Sequence, residues 1–330
     1  MLKKIKSIIP LWLKVAVLHI VSDVKNYSFR VMIAHVYFDY VTYNKIEDKY
    51  AKAYEMRHKT VLAYLRKKGN HIINEYKNSD SKGIKEKIPK KVWMFWWVGQ
   101  ENMPDIVKLC VKRIQCEFKE FEIIVLDSSN LKQYISMPEY VFEAVKDKRL
   151  TLTHLSDITR MSILAKYGGI WMDATIFPLP GFAQWCEKHL ENNIITGKRK
   201  KSNNMFVSDY KWTTYFCGGK KQYVLFPFVR DMLLKCVEEK QPFIDYYYMD
   251  YSIALAYRVF DEVKRDVDYM EYNKQNAEKM LQIINKKYDI ISGRNRILLG
   301  NDTIMSSDKE IAHSIAIYKA IGGCYDRTAV

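Results

Sequence analysis

Apolar residues recur at helical spacing through the first 68 positions and then give way to short, dense runs. Ile5, Ile8, Ile9, Trp12, Val15 and Ala16 fall on one face of a helix, with Lys3, Lys4 and Lys14 on the other. Pro10 interrupts this pattern and kinks or starts a helix at that point. A second stripe, Ile46, Tyr50, Ala53, Tyr54, Val61, Leu62 and Leu65, runs into Arg66-Lys67-Lys68 and Gly69. Cations in a last turn followed by Gly are a helix stop. The polar stretch 78–90, with Asn78, Ser79, Asp80, Ser81, Gly83 and Pro89, reads as a linker.

Beyond Ile88 the period changes. Val92–Val98 is an apolar and aromatic run suited to a buried strand. Helical spacing returns after Pro104, in Ile106, Val107, Cys110, Val111 and Ile114. Phe121–Leu126 forms a second strand ending in Asp127, and short helical pieces fill 130–148. Strand, helix, strand, helix predicts an open α/β sheet that binds its ligand at the strand C-terminal ends. The expected organisation is a helical extension over residues 1–85 and an α/β domain over 86–330.

Charge sharpens this division. The 330-residue chain carries a net +15, yet residues 1–90 hold 19 Lys+Arg against 8 Asp+Glu, a net +11. A basic, amphipathic start of this kind either lies on an anionic membrane surface, over residues 1–70, or packs as an ordinary helical extension. The remaining body is nearly neutral and has no nucleic-acid-binding motif, so no nucleic-acid partner is expected. Val31–Tyr43 contains His35 and Asp39 and is too short to span a bilayer. Six scattered Cys with no C-x-x-C pair argue against a disulfide framework or structural zinc site, and fit a cytoplasmic protein.

The candidate chemistry lies in Thr153–Phe177, THLSDITRMSILAKYGGIWMDATIF. Ile158, Met161, Leu164 and Ala165 predict a helix over Ser156–Tyr167, capped by Thr153 or Ser156 and stopped by Gly168-Gly169. Ile170-Trp171-Met172 is then a short buried strand ending at Asp173. Asp157 and Arg160, three apart, share a face at the N-terminal end of that helix. A carboxylate can accept sugar hydroxyls, and a guanidinium can grip a phosphate in a fixed fork. Taken singly, each residue also has an ordinary explanation: a dipole-stabilising pair, a C-cap, a turn aspartate.

In combination they resemble a known pattern. Ser156-Asp157-x-x-Arg160 followed by Tyr167-Gly168-Gly169-Ile170-Trp171-Met172-Asp173 is similar to the donor-binding core of family 32 glycosyltransferases and the related large glucosylating toxins. The similarity is greatest to the capsular polysaccharide synthesis subgroup, in which Asp-Ala-Thr replaces Asp-x-Asp. It reaches upstream to Ile88–Gly99, Glu101-Asn102-Met103-Pro104 and Cys110, and covers about residues 86–180.

The resemblance implies a GT-A-type nucleotide-sugar-binding fold, with Asp157 and Arg160 holding donor sugar and diphosphate. It implies that Trp96 or Trp97 contacts the nucleobase, and that Asp173 contacts ribose, sugar or metal. A divalent cation, Mg²⁺ or Mn²⁺, would sit at Asp173, with the Thr175 hydroxyl or His313 as further ligands. Thr175 stands where the second acid belongs, so a basic loop is the alternative neutraliser of the diphosphate: Lys198-Arg199-Lys200-Lys201, or Arg294 and Arg296. Asp250, in the run Asp245–Tyr251, is a candidate acceptor contact, or simply part of a helix with a Tyr-rich buried side.

The expected function is retaining transfer of a hexose or N-acetylhexosamine from a nucleotide-diphosphate sugar to a bacterial capsular or cell-surface polysaccharide. The acceptor would be lipid-linked and the enzyme peripheral on the inner face of the cytoplasmic membrane. The alternatives are transfer of a whole sugar phosphate, or a non-catalytic scaffold of the assembly machinery with a degenerate site.

Overall fold

The computed structural model describes residues 11–78, 86–178, 181–198 and 204–271. Four helices come first: α1 (Leu11–Asn26), α2 (Phe29–Tyr43), α3 (Tyr50–Lys68) and α4 (Asn70–Asn78). Ser28 caps α2, its hydroxyl accepting the Val31 amide. The stop expected at Arg66–Gly69 falls where α3 ends, with Gly69 as its C-cap. Gly69 has ordinary negative φ, so the chain resumes as α4 at once. A Cβ there would meet the flexible end of the Met232 side chain.

The remaining elements are β1 (Lys91–Phe95), α5 (Asp105–Glu117), β2 (Glu122–Leu126), α6 (Leu131–Tyr134), α7 (Glu139–Lys146), α8 (Leu152–Tyr167) and β3 (Gly169–Met172). They are followed by α9 (Phe182–Lys188), β4 (Ile194–Thr196), β5 (Phe216–Gly219), α10 (Leu225–Glu238), α11 (Tyr248–Val259) and α12 (Asp261–Tyr269). The fold is mixed α/β, with a five-stranded sheet in the order β2-β1-β3-β5-β4. β1 pairs in parallel with β2 and β3, while β5 runs antiparallel to β3 and to β4. The chain goes from β1 to β2 on one side and returns to β3 on the other. β1 and β3 therefore flank a switch point, where open α/β sheets bind ligands beyond their strand C-termini.

β1 is shorter than the run Val92–Val98 suggested. It stops at Phe95, and Trp96 to Gly99 form a turn closed by the Gly99 amide on the Trp96 carbonyl. Helix α8 is longer than its stripe suggested. It begins at Leu152, with the Thr151 hydroxyl accepting the His154 amide, so neither Thr153 nor Ser156 is the cap. Nearly its whole circumference is buried, from Leu155 and Asp157 through Ala165, which hides the start from periodicity.

Gly168-Gly169 ends α8 as expected, but Gly169 is already the first residue of β3. Both have positive φ, +68° and +98°. A Cβ on Gly168 would meet the Lys221 amide at 2.7 Å, and one on Gly169 the Lys91 carbonyl oxygen at 2.9 Å. Only glycine fits such a turn. The Trp93 indole donates to the Gly168 carbonyl at 2.9 Å and ties the turn to β1.

The N-terminal helices share the core with the sheet region: Val61, Leu62, Leu65, Ile72 and Ile73 belong to one buried cluster with β1, β3, α8, α10 and α11. Polar contacts lock the same interface. Tyr76 donates to Asp231 at 2.5 Å, His58 Nδ1 lies 2.8 Å from the Tyr251 hydroxyl, and Tyr27 donates to the Pro242 carbonyl at 2.7 Å. Among the described residues no helix is long and apolar enough to cross a membrane.

Gly169→Ala should destabilise the protein by roughly 2–5 kcal/mol, combining a disfavoured φ with backbone overpacking. Gly181→Ala is the control, because its φ is also positive (+88°) but among the described residues its Cβ would meet only Gln184 Oε1 at 3.4 Å. Denaturant midpoints for the two variants should differ clearly; equal losses would mean that strain alone, without the close approach, governs the turn.

Candidate active site

The parallel strands β1, β2 and β3 deliver Trp96, Asp127 and Asp173 to one edge of the sheet. Asp127 is spoken for locally. Its carboxylate accepts the Ser129 hydroxyl and the amides of Ser129 and Asn130, which hold its pKa below the usual value despite some burial. Trp96 and Trp97 lie in the turn after β1 rather than on opposite faces of a strand. The Trp96 indole N–H is buried and has no hydrogen-bond partner among the described residues, so it remains available to a ligand.

Asp173 follows β3 directly. Its amide donates to the Tyr215 carbonyl, and its own carbonyl accepts the Ile176 amide, folding Asp173–Ile176 into a tight turn. One carboxylate oxygen, Oδ1, accepts from Arg160 Nη2 at 2.9 Å and from the Trp171 indole at 2.8 Å. Among the described residues Oδ2 accepts no hydrogen bond, and the side chain is 34% exposed. Thr175 sits half-buried in the same turn.

Arg160 anchors the cluster. Its side chain is only 5% exposed, and besides Asp173 it donates from Nη1 to the Thr214 carbonyl at 2.6 Å. Nη1 also lies 3.7 Å from Asp157 Oδ1, and the guanidinium carbon stands 5.0 Å from the Trp171 ring centroid. Both ends of the fork are thus engaged inside the protein. The Asp157–Arg160 pair lies in the second and third turns of α8, not at its N-terminal end, because the helix starts earlier than its stripe.

α11 brings Asp250 to this cluster, where Oδ1 accepts the Trp212 indole at 3.0 Å. Asp157, Asp173 and Asp250 therefore surround one guanidinium, which cannot neutralise all three. Burial pushes the Asp157 carboxyl up to about 7, with Arg160 pulling down and Asp173 and Asp250 pushing further up. Burial likewise raises Asp250 to about 6, against the Trp212 hydrogen bond and Arg160. Burial opposes the charge of Arg160, but Asp173 and then Asp157 outweigh it and raise the guanidinium pKa. A cluster short of positive charge suits a cation or a hydroxyl-rich ligand.

Among the described residues no three His, Cys, Asp or Glu side chains converge as a metal cluster. Asp173 Oδ2, which accepts no hydrogen bond from the described residues, is open to a cation, a donor that fits Mg²⁺ when diphosphate oxygens and waters supply the other ligands. Lys198 is not a solvated basic residue. It is buried, and its ammonium donates to the Asp268 carbonyl at 2.9 Å. Arg199, Lys200, Lys201, Arg294, Arg296 and His313 lie outside the described residues. The contributions of Thr214, Trp212 and Trp171 carried no signal of their own in the sequence, since all three act through a backbone carbonyl or an indole N–H whose partner is set by the fold.

A family model described as capsular polysaccharide synthesis protein matches residues 41–292, beginning within the helical region that precedes the sheet. The chain is 31% identical over 93 residues to the O-glycosyltransferase PaGT of Phomopsis amygdali, covering 26% of this chain and 23% of that protein. It is 30% identical over 112 residues to the O-glycosyltransferase braB of Annulohypoxylon truncatum, covering 31% and 27%. The chain thus spans about a quarter of the length of these curated relatives. Among solved structures, the PaToxG glycosyltransferase aligns over 81% of this chain and 97% of its own, at 13% identity and a TM-score of 0.33.

The raised Asp157 pKa sets a stability signature. A carboxyl with a higher pKa folded than unfolded binds more protons in the native state, so stability falls as pH rises from about 4 to about 7, by at most about 1.4 kcal/mol per unit. Asp157→Asn removes this dependence. Its melting temperature relative to wild type should therefore be higher at pH 8 than at pH 5, and a pH-independent difference would show that Asp157 titrates normally.

Proposed function

The chain belongs to the capsular polysaccharide synthesis protein family, and on that premise we propose that it transfers a sugar from a nucleotide-diphosphate donor to a hydroxyl of a cell-surface polysaccharide acceptor. The observation that carries this reading is the Arg160–Asp173 pair at the C-terminal end of β3, beside the switch point. An open sheet of GT-A type would place the nucleobase near Trp96 and the donor sugar and diphosphate near Asp173. The curated relatives of this chain that carry the word glycosyltransferase in their names support sugar transfer as the reaction class.

In the reaction the bond between the anomeric carbon and the diphosphate oxygen breaks, and the acceptor hydroxyl oxygen bonds to that carbon on the same face. The acceptor proton leaves with the diphosphate. Asp173 contacts the donor through its free Oδ2, while Arg160, both of whose Nη atoms are engaged inside the protein, acts as a positioning residue that fixes Asp173. Asp157 and Asp250 accept sugar hydroxyls, a role that neutral or ionised carboxyl groups can fill. A divalent cation, held by Asp173 and the diphosphate with Thr175 nearby, would supply charge neutralisation for the leaving group.

The membrane enters through α1 and α2. Val21 and Val24 of α1 and Phe29 and Ile33 of α2 are exposed, beside Lys25 and Arg30. Short, half-exposed helices with flanking cations suit docking on an anionic lipid surface without spanning it, which would bring a lipid-linked acceptor to the cytoplasmic face.

Release of nucleoside diphosphate from a panel of UDP-, GDP- and dTDP-sugars tests the reaction. At least one donor should turn over, and Asp173→Asn and Arg160→Ala should each slow it about 30- to 1000-fold, as expected for roughly 2–4 kcal/mol of lost transition-state stabilisation. EDTA should abolish turnover and Mg²⁺ or Mn²⁺ restore it. A phosphodiester product would instead establish sugar-phosphate transfer, and a chain inert towards every donor would be a scaffold.

Lipid docking is tested by co-sedimentation with anionic vesicles. Binding should weaken as salt rises, because each Lys or Arg near the surface contributes about 1 kcal/mol over a Debye length of about 8–10 Å. Replacing exposed Val21 and Val24 by Glu should reduce it without lowering the melting temperature. Indifference to vesicles at low salt would make these helices a purely structural layer.

A further inference from the structure

Trp171 is only 1% exposed in the middle of β3, paired with Trp93 of β1 on one side and Cys217 of β5 on the other. A residue in that place reads as core, and its ring belongs to the buried cluster. Its polar end has a different partner. The indole N–H donates to Asp173 Oδ1 at 2.8 Å, the oxygen that also takes Arg160 Nη2 at 2.9 Å. We propose that Trp171 is a second positioning residue of the transferase, whose indole N–H locks the Asp173 carboxylate so that Oδ2 faces the donor; this rests on the donor-site reading above.

The local geometry sets this up. Trp171 and Asp173 are two positions apart, and the Asp173 amide still bonds to the Tyr215 carbonyl. The alternation of an extended chain therefore carries both side chains to the same side. The torsion about an aspartate Cβ–Cγ bond is broad, so a single hydrogen bond leaves the carboxylate plane free to swing. Two donors meeting one oxygen, from a helix and from the strand itself, remove that freedom. The Trp171 ring also stands 5.0 Å from the Arg160 guanidinium carbon, so one side chain steadies both members of the pair.

The division of donors explains why an indole serves here. An arginine fork grips a carboxylate most strongly through both of its oxygens. In this site Nη1 is diverted to the Thr214 carbonyl at 2.6 Å, and only Nη2 reaches Asp173. The indole takes the second place on Oδ1, and among the described residues Oδ2 accepts no hydrogen bond. A neutral donor holds the carboxylate without cancelling its charge, as a second cation would. Charge on the outward oxygen is what a sugar hydroxyl or a diphosphate-bound cation requires. Phenylalanine could fill the core position but has no N–H to offer.

Two replacements separate the ring from its N–H: Trp171→Phe, and benzothienylalanine in place of Trp171, which keeps the bicyclic shape and puts sulfur where the N–H was. In the full-length protein without any ligand, the indole NMR resonance that vanishes in Trp171→Phe should be one that Asp173→Ala displaces. Affinity is measured by calorimetry for UDP, GDP and dTDP, each with Mg²⁺, and turnover for the corresponding nucleotide sugars. Both replacements should weaken the tightest nucleotide roughly fivefold or more and slow donor turnover about 10- to 100-fold, the scale of a misplaced contact. In an Asp173→Ala background the same replacements should change affinity less than about twofold, because they act through a carboxylate that is gone. Benzothienylalanine should leave the melting temperature near the wild-type value. Unchanged affinity and turnover in that protein, equal losses with and without Asp173, or failure of both replacements to fold would overturn the proposal and leave the donor site in place. Full affinity and turnover in Asp173→Ala, or no binding of any nucleotide, would remove the donor site and this role with it.

Discussion

A guanidinium buried to 95% is the constraint around which the sheet edge is organised. Removing such a group from water is tolerable only when its protons find acceptors and its charge finds a counter-ion. Arg160 meets that demand at both Nη atoms, though its buried Nε has no partner among the described residues, by joining four parts of the chain: Asp157 on its own helix, Asp173 after β3, the Thr214 carbonyl before β5 and the Trp171 ring. The turn after β3 is held in place because Asp173 is both a hydrogen-bond acceptor for Arg160 and an amide donor to Tyr215. Loss of the guanidinium would leave buried carboxylates facing one another without a cation, so structure and site depend on the same residue.

The surplus of negative charge there is the feature with chemical content. A purely structural ion pair would be balanced, whereas Asp157 and Asp250 are both pushed towards neutrality by burial, Asp157 further by Asp173 and Asp250, and Asp250 further by Asp245. Perturbed carboxyls beside a switch point are the pattern on which the proposed donor site rests. Among the described residues Asp173 Oδ2 and the Trp96 indole N–H have no hydrogen-bond partner, and they follow the neighbouring strands β3 and β1. Asp173 is the one group of this set that combines a free oxygen with exposure to solvent.

The N-terminal helices are continuous with this arrangement. Their inner residues belong to the same buried cluster as the sheet, while the outer surface of α1 and α2 stays apolar and exposed. Arg57 of α3 reaches Asp245, and through that segment the helices approach the start of α11. A region that reads as an appendage in its charge and period therefore contributes directly to the core.

What the sequence by itself determined were features written in local rules. The stop at Arg66–Gly69, the apolar stripe of α5, the strand before Asp127 and the Gly168-Gly169 turn depend on period, capping chemistry and φ, all of which act over a few residues. The spacing of Asp157 and Arg160 and the position of Asp173 after a short strand were legible for the same reason. Only the tertiary structure decided where α8 begins, because a helix buried on nearly every side shows no polar face to mark its limits. It also decided that Lys198 is buried against carbonyls, that Asp250 joins the Arg160 cluster through Trp212, and that Thr214 closes it with a backbone oxygen. Those outcomes depend on which distant segments pack together, and a peptide carbonyl looks alike at every position in a sequence until the fold brings a buried cation to one of them.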